Sequence, residues 1–533
     1  MTDSLQQGVK LKKLIKPLMT EDFWKTHSEL ATIEVSGIQL DSRKIKTGEL
    51  FMAYPGYATD GRQFIEQAVK AGASVVLFEE DQSETILKTL LNDNQQVTAS
   101  NKTLSGAAPM ELYNYKEAVL IPVKNLSSKV SQIAARFYGN PTRKMSVIGV
   151  TGTNGKTSCA YLLAQALEFL QYPTLMLSTV GNGNPSALQT TENTTPDAVA
   201  IQRLAAKYLA QKNYHMTMEV SSHGLVQSRV SAVHYKIAVF TNLSQDHLDY
   251  HGDMESYFQA KRKLFLTDSL EAVIINADDE YGRRLLADNE IRCQKIAYSS
   301  VEKNDGLNID HWIIAKNETF NMKGIQAELH TPWGNSKLRS GLLGHFNLSN
   351  LLAVTGALGV LFGDINRWIV ALNAAKAVPG RMQSFAAPGK PTVVVDYAHT
   401  PDALDKTLSS LREHCDGELW CVFGCGGDRD NSKRPLMGAV AEQKSDHVII
   451  TDDNPRTENS DSIVSMIREG MKNKETIYIQ SRKKAIESAI KQSAANDMIL
   501  VAGKGHEDYQ QIGTKKVHYS DLEAVSNLME DIA

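Results

Sequence analysis

Residues 146–158 read SVIGVTGTNGKTS, and the order of residue types in that stretch decides the fold class. Ser146–Val150 is a short apolar run of the strand type. Gly152, Thr153, Asn154, Gly155, Lys156 and Thr157 follow at once, and a helix-length segment, Ser158–Leu170, comes next. In that segment Leu163, Leu167 and Leu170 fall on one face, the stripe expected of a helix packed on a sheet. Strand, glycine turn and helix in this order make a phosphate-binding loop. Glycine lets the backbone come close to an anion, and the first-turn N–H groups with the helix dipole favour negative charge. Lys156 is spaced to reach β- and γ-phosphates and the Thr157 hydroxyl to hold Mg²⁺. The common loop has a further glycine where this chain has Val150, so this is a shorter variant. A glycine turn carrying a surface lysine would need neither the strand before it nor the helix after it. Nucleotide binding follows; the chemistry does not, because regulatory and motor proteins carry the same loop.

Outward from the loop, Met216–Val220, Ile237–Asn242 and Ala272–Asn276 are further strand candidates. Val378-Pro379-Gly380 marks a boundary, and beyond it strands expected at Thr392–Asp396, Leu419–Phe423, His447–Thr451, Thr476–Ile479 and Met498–Ala502 alternate with helix-length stretches. That alternation predicts a mostly parallel, doubly wound sheet. Its strands run into the polar turns DYAH, GCGGDRD, TDDNPR and AGKGHE, which should line one crevice beyond the carboxyl ends. Toward the N-terminus, Val35–Leu40 and Ser74–Glu79 read as strands, the polar stretch 81–117 as partly loop, and Asn140-Pro141 as a second boundary. The expectation is an α/β chain of three domains: a smaller N-terminal α/β domain (1–140), a central P-loop ATPase-like α/β domain (141–379) and a C-terminal doubly wound, Rossmann-like domain (380–533).

Composition narrows the class. Hydrophobic residues at 42% and charged residues at 22% are ordinary for a soluble protein, and a net charge of −4 offers no basic field to nucleic acid or anionic membrane. Five scattered cysteines suit reduced intracellular thiols; Cys415, Cys421 and Cys425 cluster but lack the paired spacing of a zinc site. No apolar run reaches the length of a membrane span, and the basic N-terminus lacks the apolar core and cleavage site of a signal peptide. Cytoplasm is the expected compartment, with no nucleic-acid or membrane partner.

The variant TGTNGKT, together with MEVSSHGLVQSR, FTNLSQDHLDYHGDMESYFQAKRKLF, GHFNLSN, VPGRM and VDYAHTPD, resembles the Mur ligases, which include the peptidoglycan-precursor ligases and, more distantly, folylpolyglutamate synthetase. The matching positions run in order from Ser42 to Glu507, nearly the whole chain, and within the family the tripeptide-synthetase branch is most similar.

The resemblance implies an ATP- and Mg²⁺-dependent ligase that joins a carboxylate to an amine through an acyl phosphate, acting as a monomer. It implies UDP-N-acetylmuramoyl-L-alanyl-D-glutamate as acceptor, bound by the N-terminal domain, with ATP on the central domain and the amino acid on the C-terminal one. Lys156, Glu219, His247 and Lys261 match the catalytic set, and Thr157, Glu219, His247 and Lys261 the metal ligands, Lys261 as a carbamate. CO₂ adds only to a neutral amine, so that lysine must have a depressed pKa. Without the resemblance, Lys261, Arg262 and Lys263 read as a solvated helix face.

Gly152 to Ser158, His345, Asn347, Asn350, Arg381 and Asp396 match ATP contacts. Leu40, Ser42, Tyr57, Ala58, Thr59, Asn193, Thr194, Thr195, Ser221, Gln227 and Arg229 match contacts to the UDP-linked precursor, with Tyr57-Ala58-Thr59 departing from the His-Gln-Ala of the closest relatives. Arg429, Asp453, Asn454, Pro455, Arg456, Gly503 and Glu507 match the amino-acid site. The turn Asp453-Asn454-Pro455-Arg456 points to meso-2,6-diaminopimelate: an arginine fork can bind its distal carboxylate, whereas facing lysine the same arginine would oppose an ammonium. Three other readings are a lysine-adding ligase, a ligase with another acyl acceptor such as folylpolyglutamate synthetase, and a nucleotide-binding scaffold without catalysis. Arg456 counts against the first, the uridine-type N-terminal segment and DNPR against the second, and the joint presence of Lys156, Glu219, His247 and Lys261 against the third.

Overall fold

Parallel strands covered on both faces need nearly continuous apolar runs, and this chain supplies three sets of them. The computed structural model describes residues 8–57, 59–83, 98–99, 112–191, 193–301, 309, 311–473 and 476–530. Three sheets organise the chain as a three-domain α/β protein.

In the central sheet the Ser146–Thr151 strand lies between His215–Glu219 and Tyr235–Phe240, parallel to both. Ala272–Asn276 and Gln294–Ser299 extend it in parallel. The strands predicted here are present within a residue or two of their expected ends. The sheet then continues through a meander, His311–Asn321, Gly324–Thr331 and Gly334–Ser340, that the sequence analysis does not anticipate. Of the 11 residues of His311–Asn321 only Trp312 to Ala315 are buried, so the apolar signature fades midway along it. The helices Lys156–Phe169 and His345–Phe362 pack together against the sheet, with Leu163, Leu167, Leu348, Leu351 and Leu358 in one core cluster. His345–Phe362 is long and apolar enough to cross a bilayer, but 67% of its window is buried, as a core helix requires.

The first sheet runs Ile38–Gln39, Leu50–Ala53, Val75–Glu79, Ala118–Val123, Tyr113–Tyr115, Thr98–Ala99, its first four strands parallel. The single strand expected at Val35–Leu40 is divided: Glu34–Val35 pairs with Val9–Lys10, while Ile38–Gln39 joins the sheet. Gly37 stands between the two against the Glu49 carboxylate, which a Cβ would displace. The stretch 81–117, read as partly loop, contains the strands Thr98–Ala99 and Tyr113–Tyr115; residues 84–97 and 100–111 lie outside the described set.

The third sheet, Gln383–Phe385, Thr392–Asp396, Met498–Ala502, Leu419–Phe423, His447–Ile450, Ile477–Tyr478, is parallel except at its first edge, as expected of a doubly wound fold. A hairpin, Tyr509–Ile512 with Lys515–His518, projects beyond it.

Specific contacts join the sheets. Ala198 and Val199, on a central helix, belong to the core cluster of the first sheet. Leu343, just before His345–Phe362, belongs to that of the third. Buried His414 accepts the Gly344 N–H at Nε2 (2.7 Å) and meets the Asn321 carbonyl at Nδ1 (2.7 Å), which fixes a neutral ring protonated on Nδ1. The C-terminal domain is thus anchored beside the helix that opens at His345.

Candidate active site

The loop after Ser146–Thr151 owes its shape to two glycines, Gly152 (φ +151°) and Gly155 (φ +83°). At Gly155 a Cβ would also stand 2.5 Å from Asn350 Oδ1. Backbone and side chains of the next strand end hold the loop: Thr153 N–H donates to Asn242 O (2.8 Å), Asn154 N–H to Asn242 Oδ1 (2.9 Å), and Thr241 Oγ1 to Asn154 O (2.6 Å). The helix starts at Lys156, two residues before the expected Ser158, so Lys156, Thr157 and Ser158 form its first turn. Gly155→Ala is expected to cost about 1–2 kcal/mol of backbone strain and to weaken ADP binding about tenfold, read by calorimetry.

Beside the loop is a cleft of about 630 Å³. Asn154, Gly155 and Ser158 line it from the loop, His345, Asn347 and Asn350 from the central helix, and Arg381 and Asp396 from beyond the Val378–Gly380 boundary. These eight sequence candidates therefore share one cavity. Asn347 Nδ2 donates to Leu343 O (2.7 Å) and Asn350 Nδ2 to Asn347 Oδ1 (3.2 Å), which orients both amides. The Asp396 carboxylate accepts the Met382 and Ala398 N–H groups (2.8 and 2.9 Å) and so shapes the turn that carries Arg381; burial raises its pKa against those bonds and the Arg381 charge.

At the inner end of the loop two lysine nitrogens meet on the Gly152 carbonyl, Lys156 Nζ at 3.0 Å and Lys261 Nζ at 2.7 Å. Lys261 is 1% exposed, so the solvated-face reading is wrong for this residue, while its neighbour Lys263 is exposed. Helical periodicity turns Lys261 inward on Met254–Phe265, beneath the loop and 4.5 Å from the Tyr257 ring centroid. Burial, and then the Lys156 charge, push its pKa well below the ordinary lysine value. Lys156 is depressed too, by burial, against the pull of Glu219 and Asp246.

Glu219, 1% exposed at the end of its strand, accepts the Thr179 N–H (2.8 Å) and hydroxyl (3.3 Å) and bonds the Thr157 hydroxyl. Burial raises its pKa, and Lys156 opposes the rise. His247 is different: it is exposed on the lip in a left-handed backbone conformation (φ +53°), with Nε2 3.3 Å from Asp246 Oδ2. His223, its ring 5.0 Å from that of His247, continues an aromatic nest with Tyr250, His251 and Tyr257. Among the described residues no three His, Cys, Asp or Glu side chains are grouped closely enough to bind a metal ion. The donor chemistry nonetheless fits a hard cation: Glu219 offers anionic oxygen, Thr157 a hydroxyl, and a carbamate on Lys261 would add a second carboxylate. All five cysteines are free; Cys421 and Cys425 are buried in the third sheet's core cluster.

Leu40, Ser42 and Thr59 line a separate cavity of about 530 Å³ in the first domain, where Ser42 Oγ donates to Gln67 Oε1 (3.0 Å). Tyr57 lies outside it, 85% exposed, its ring 5.6 Å from that of Tyr250; Ala58 is outside the described residues. The central candidates form a network of their own. Thr195 Oγ1 donates to Glu219 O (2.9 Å), Ser221 N–H to Thr195 Oγ1 (3.0 Å), and Arg229 to Thr195 O (3.0 Å) and Gln227 Oε1 (2.9 Å). Thr194 meets Thr179 at 3.1 Å, and Asn193 N–H donates to Thr191 Oγ1 at 3.4 Å. Thr195 and Thr179 thus connect this network to Glu219 from both sides.

In the third domain the turns after parallel strands do converge. Asn454 Nδ2 donates to Glu507 Oε2 (3.0 Å), and Asp453 lies 3.9 Å from where a Gly503 Cβ would be. Arg456 Nη1 donates to Gly427 O (2.7 Å), and a Cβ on Gly426 would lie 3.8 Å from Arg429 Cγ and 2.9 Å from Arg456 Nη1. Pro455 is buried and its Arg456 neighbour half-buried. Tyr397 joins the two clefts: the Arg381 guanidinium lies 4.7 Å from its ring, and its hydroxyl, raised in pKa chiefly by burial, also feels Glu507 and Asp453.

Sequence reasoning missed several of these residues. Thr241 and Asn242 brace the loop and Asp246 partners His247, all within the quoted FTNLSQDH motif. Lys504, fully buried among Asp453, Asn454 and Glu507, lies in the quoted AGKGHE turn, where a lysine between glycines reads as a surface cation.

Comparison with known proteins bears on the whole chain. Residues 34–138 match the Mur ligase family catalytic domain, residues 150–358 the Mur ligase middle domain, and residues 380–505 the Mur ligase glutamate ligase domain. The UDP-N-acetylmuramoyl-L-alanyl-D-glutamate--2,6-diaminopimelate ligase of Coxiella burnetii is 41% identical over 94% of this chain and 96% of its own length. The protein of that name from Ectopseudomonas mendocina is 46% identical over 91% and 93%. A solved structure, also of a UDP-N-acetylmuramoyl-L-alanyl-D-glutamate--2,6-diaminopimelate ligase, superposes with a TM-score of 0.70 at 31% identity, covering 99% of both chains. With identity of that order along nearly its full length, the chain belongs to the Mur ligase family.

Proposed function

We propose that this chain is an ATP-dependent ligase that adds meso-2,6-diaminopimelate to UDP-N-acetylmuramoyl-L-alanyl-D-glutamate in cytoplasmic peptidoglycan-precursor synthesis. Residues 1–140 bind the UDP-linked precursor, 141–379 the nucleotide and 380–533 the amine. The observation that supports this best is the seam itself. Arg381 lines the cleft beside the phosphate loop and lies 4.7 Å from the Tyr397 ring, and Tyr397 Cβ is 2.7 Å from where a Gly505 Cβ would stand, so the nucleotide cleft adjoins the AGKGHE turn that holds Glu507 against Asn454 of the DNPR turn. A ligase needs that: nucleotide, acyl acceptor and amine must meet.

A carboxylate of the precursor attacks the γ-phosphorus, ADP leaves, and an acyl phosphate forms. The diaminopimelate amine then attacks the acyl carbon, and phosphate leaves as the amide forms. The first-turn N–H groups and Lys156 stabilise the transferring phosphoryl oxygens, and Arg381 closes on them from the third domain. Bound Mg²⁺, held by Thr157, Glu219, His247 and carbamylated Lys261, would screen the converging negative charges. Thr194, Thr195 and Ser221 hold the peptide end of the precursor beside Glu219. Asp453 and Glu507 take the amino acid's ammonium, and Arg429 and Arg456 its carboxylate. The chain acts as a monomer, without nucleic acid or membrane.

The test is phosphate release from purified chain, ATP, Mg²⁺ and the dipeptide precursor against a panel of amines. Diaminopimelate is expected to drive release at least about a hundredfold better than lysine, since a misplaced charge at a buried site costs several kcal/mol. Equal rates with lysine would overturn the amine assignment; no release with any amine would favour a scaffold.

A further inference from the structure

Lys504 has no exposed surface, and its ammonium is a buried cation that the steps above do not use. It follows the Met498–Ala502 strand, and its Nζ lies 3.3 Å from Asp453 Oδ1, 3.1 Å from Asn454 Oδ1 and 3.3 Å from Glu507 Oε2. Asp453 and Asn454 follow His447–Ile450, two places away in the sheet, with Leu419–Phe423 between. The side chain therefore ties two strand-end turns across a third strand. An ammonium has three donors, and three acceptors surround this one. No N–H is left for a substrate.

We infer that Lys504 is a positioning residue that builds the ammonium pocket for the incoming amino acid, a proposal that rests on the amine-binding reading of the Asp453–Glu507 crevice. Asp453 and Glu507 would repel each other undiluted; the Lys504 ammonium between them, 3.3 Å from a carboxylate oxygen of each, offsets that repulsion. One cation against two carboxylates leaves one negative charge over, which an amino-acid ammonium completes. The buried pair beneath adds nothing to that sum, because Arg482 and Asp521, both fully buried, neutralise each other at 2.8 Å. Lys504 also fixes the Asn454 amide. With its oxygen held by Lys504 Nζ and the Gln511 N–H (2.8 Å), the amide nitrogen must face Glu507, so both Glu507 and the DNPR turn are aimed before any amine arrives.

The experiment compares wild type with Lys504→Met in steady-state phosphate release, titrating amine, ATP and precursor separately. The expected result is an amine KM raised about thirtyfold, with the KM for ATP and for the precursor within about threefold of wild type. ADP affinity of the variant, measured by calorimetry, reports that the central cleft is folded. Should Lys504→Met not fold, Lys504→Gln, which keeps a donor without the charge, is read the same way. An amine KM within about threefold of wild type, or the three KM values rising together, overturns the proposal. The panel decides which amine is used: a wild type that turns over lysine in place of diaminopimelate sinks the substrate assignment, and Lys504 is then judged on the lysine KM, so the two failures are distinct.

Discussion

Lys261→Ala is expected to lower kcat about a thousandfold while ADP affinity stays near wild type, because a preorganised charge is lost from the point where negative charge gathers. The structure gives the reason in two parts. The Lys261 amine is held toward its neutral, CO₂-reactive form by burial and then by the charge of Lys156, which reaches the same Gly152 carbonyl. Its carbamate would place a carboxylate beneath the loop, beside the Gly152 carbonyl and Lys156. Added formate or acetate should then restore part of the alanine variant's rate by occupying that space. The sign of the pH effect also follows. The neutral fraction of an amine grows as pH rises, and a depressed pKa moves that growth to lower pH. Enzyme stripped of CO₂ should recover when dissolved CO₂ is restored, and at one fixed CO₂ concentration faster at higher pH, with less alkali than a free lysine would need. Wild-type rates in Lys261→Ala, by phosphate release, would remove the carbamate from the mechanism.

Arg456→Ala is expected to raise the KM for diaminopimelate about a thousandfold, the loss of a bidentate charged pair at a partly buried site, with the KM for ATP unchanged. Arg456 is half-buried and turned inward, with Nη1 on the Gly427 carbonyl and Arg429 nearby. Truncation leaves a substrate carboxylate facing a cavity. An unaltered diaminopimelate KM in that variant would reduce the arginine to a turn-shaping residue.

The parallel core of the third sheet was legible because strands such as Leu419–Phe423 and Met498–Ala502 are buried on both faces and read as unbroken apolar runs, whereas Leu50–Ala53, Ala118–Val123 and Thr174–Ser178, parallel strands as deeply buried in the other two sheets, went unread. The sequence also failed at His311–Asn321 and the two strands after it, where solvent takes one face and the pattern dissolves into Lys, Asn and Glu. The phosphate loop was legible from local order alone. Lys261 was not: helical spacing places it, but only the fold shows that the loop covers it. Lys504 was hidden for the same reason, since two of its three partners, Asp453 and Asn454, are 51 and 50 residues away in the chain and meet it only at the sheet's end.

The hairpin Tyr509–Ile512 with Lys515–His518 holds the DNPR turn by its main chain: Arg456 N–H donates to Gln511 O (3.0 Å), Gly513 N–H to Arg456 O (2.6 Å), and Arg456 is kept at φ +51°. A non-glycine residue in that region costs on the order of 1 kcal/mol, so the arginine's aim is imposed from a distant part of the chain. Substrate preference is therefore a two-part address. Anyone redesigning this ligase for a different diamine would have to transplant the ribbon together with the tetrapeptide, because new letters in the turn alone would still be read in the old orientation.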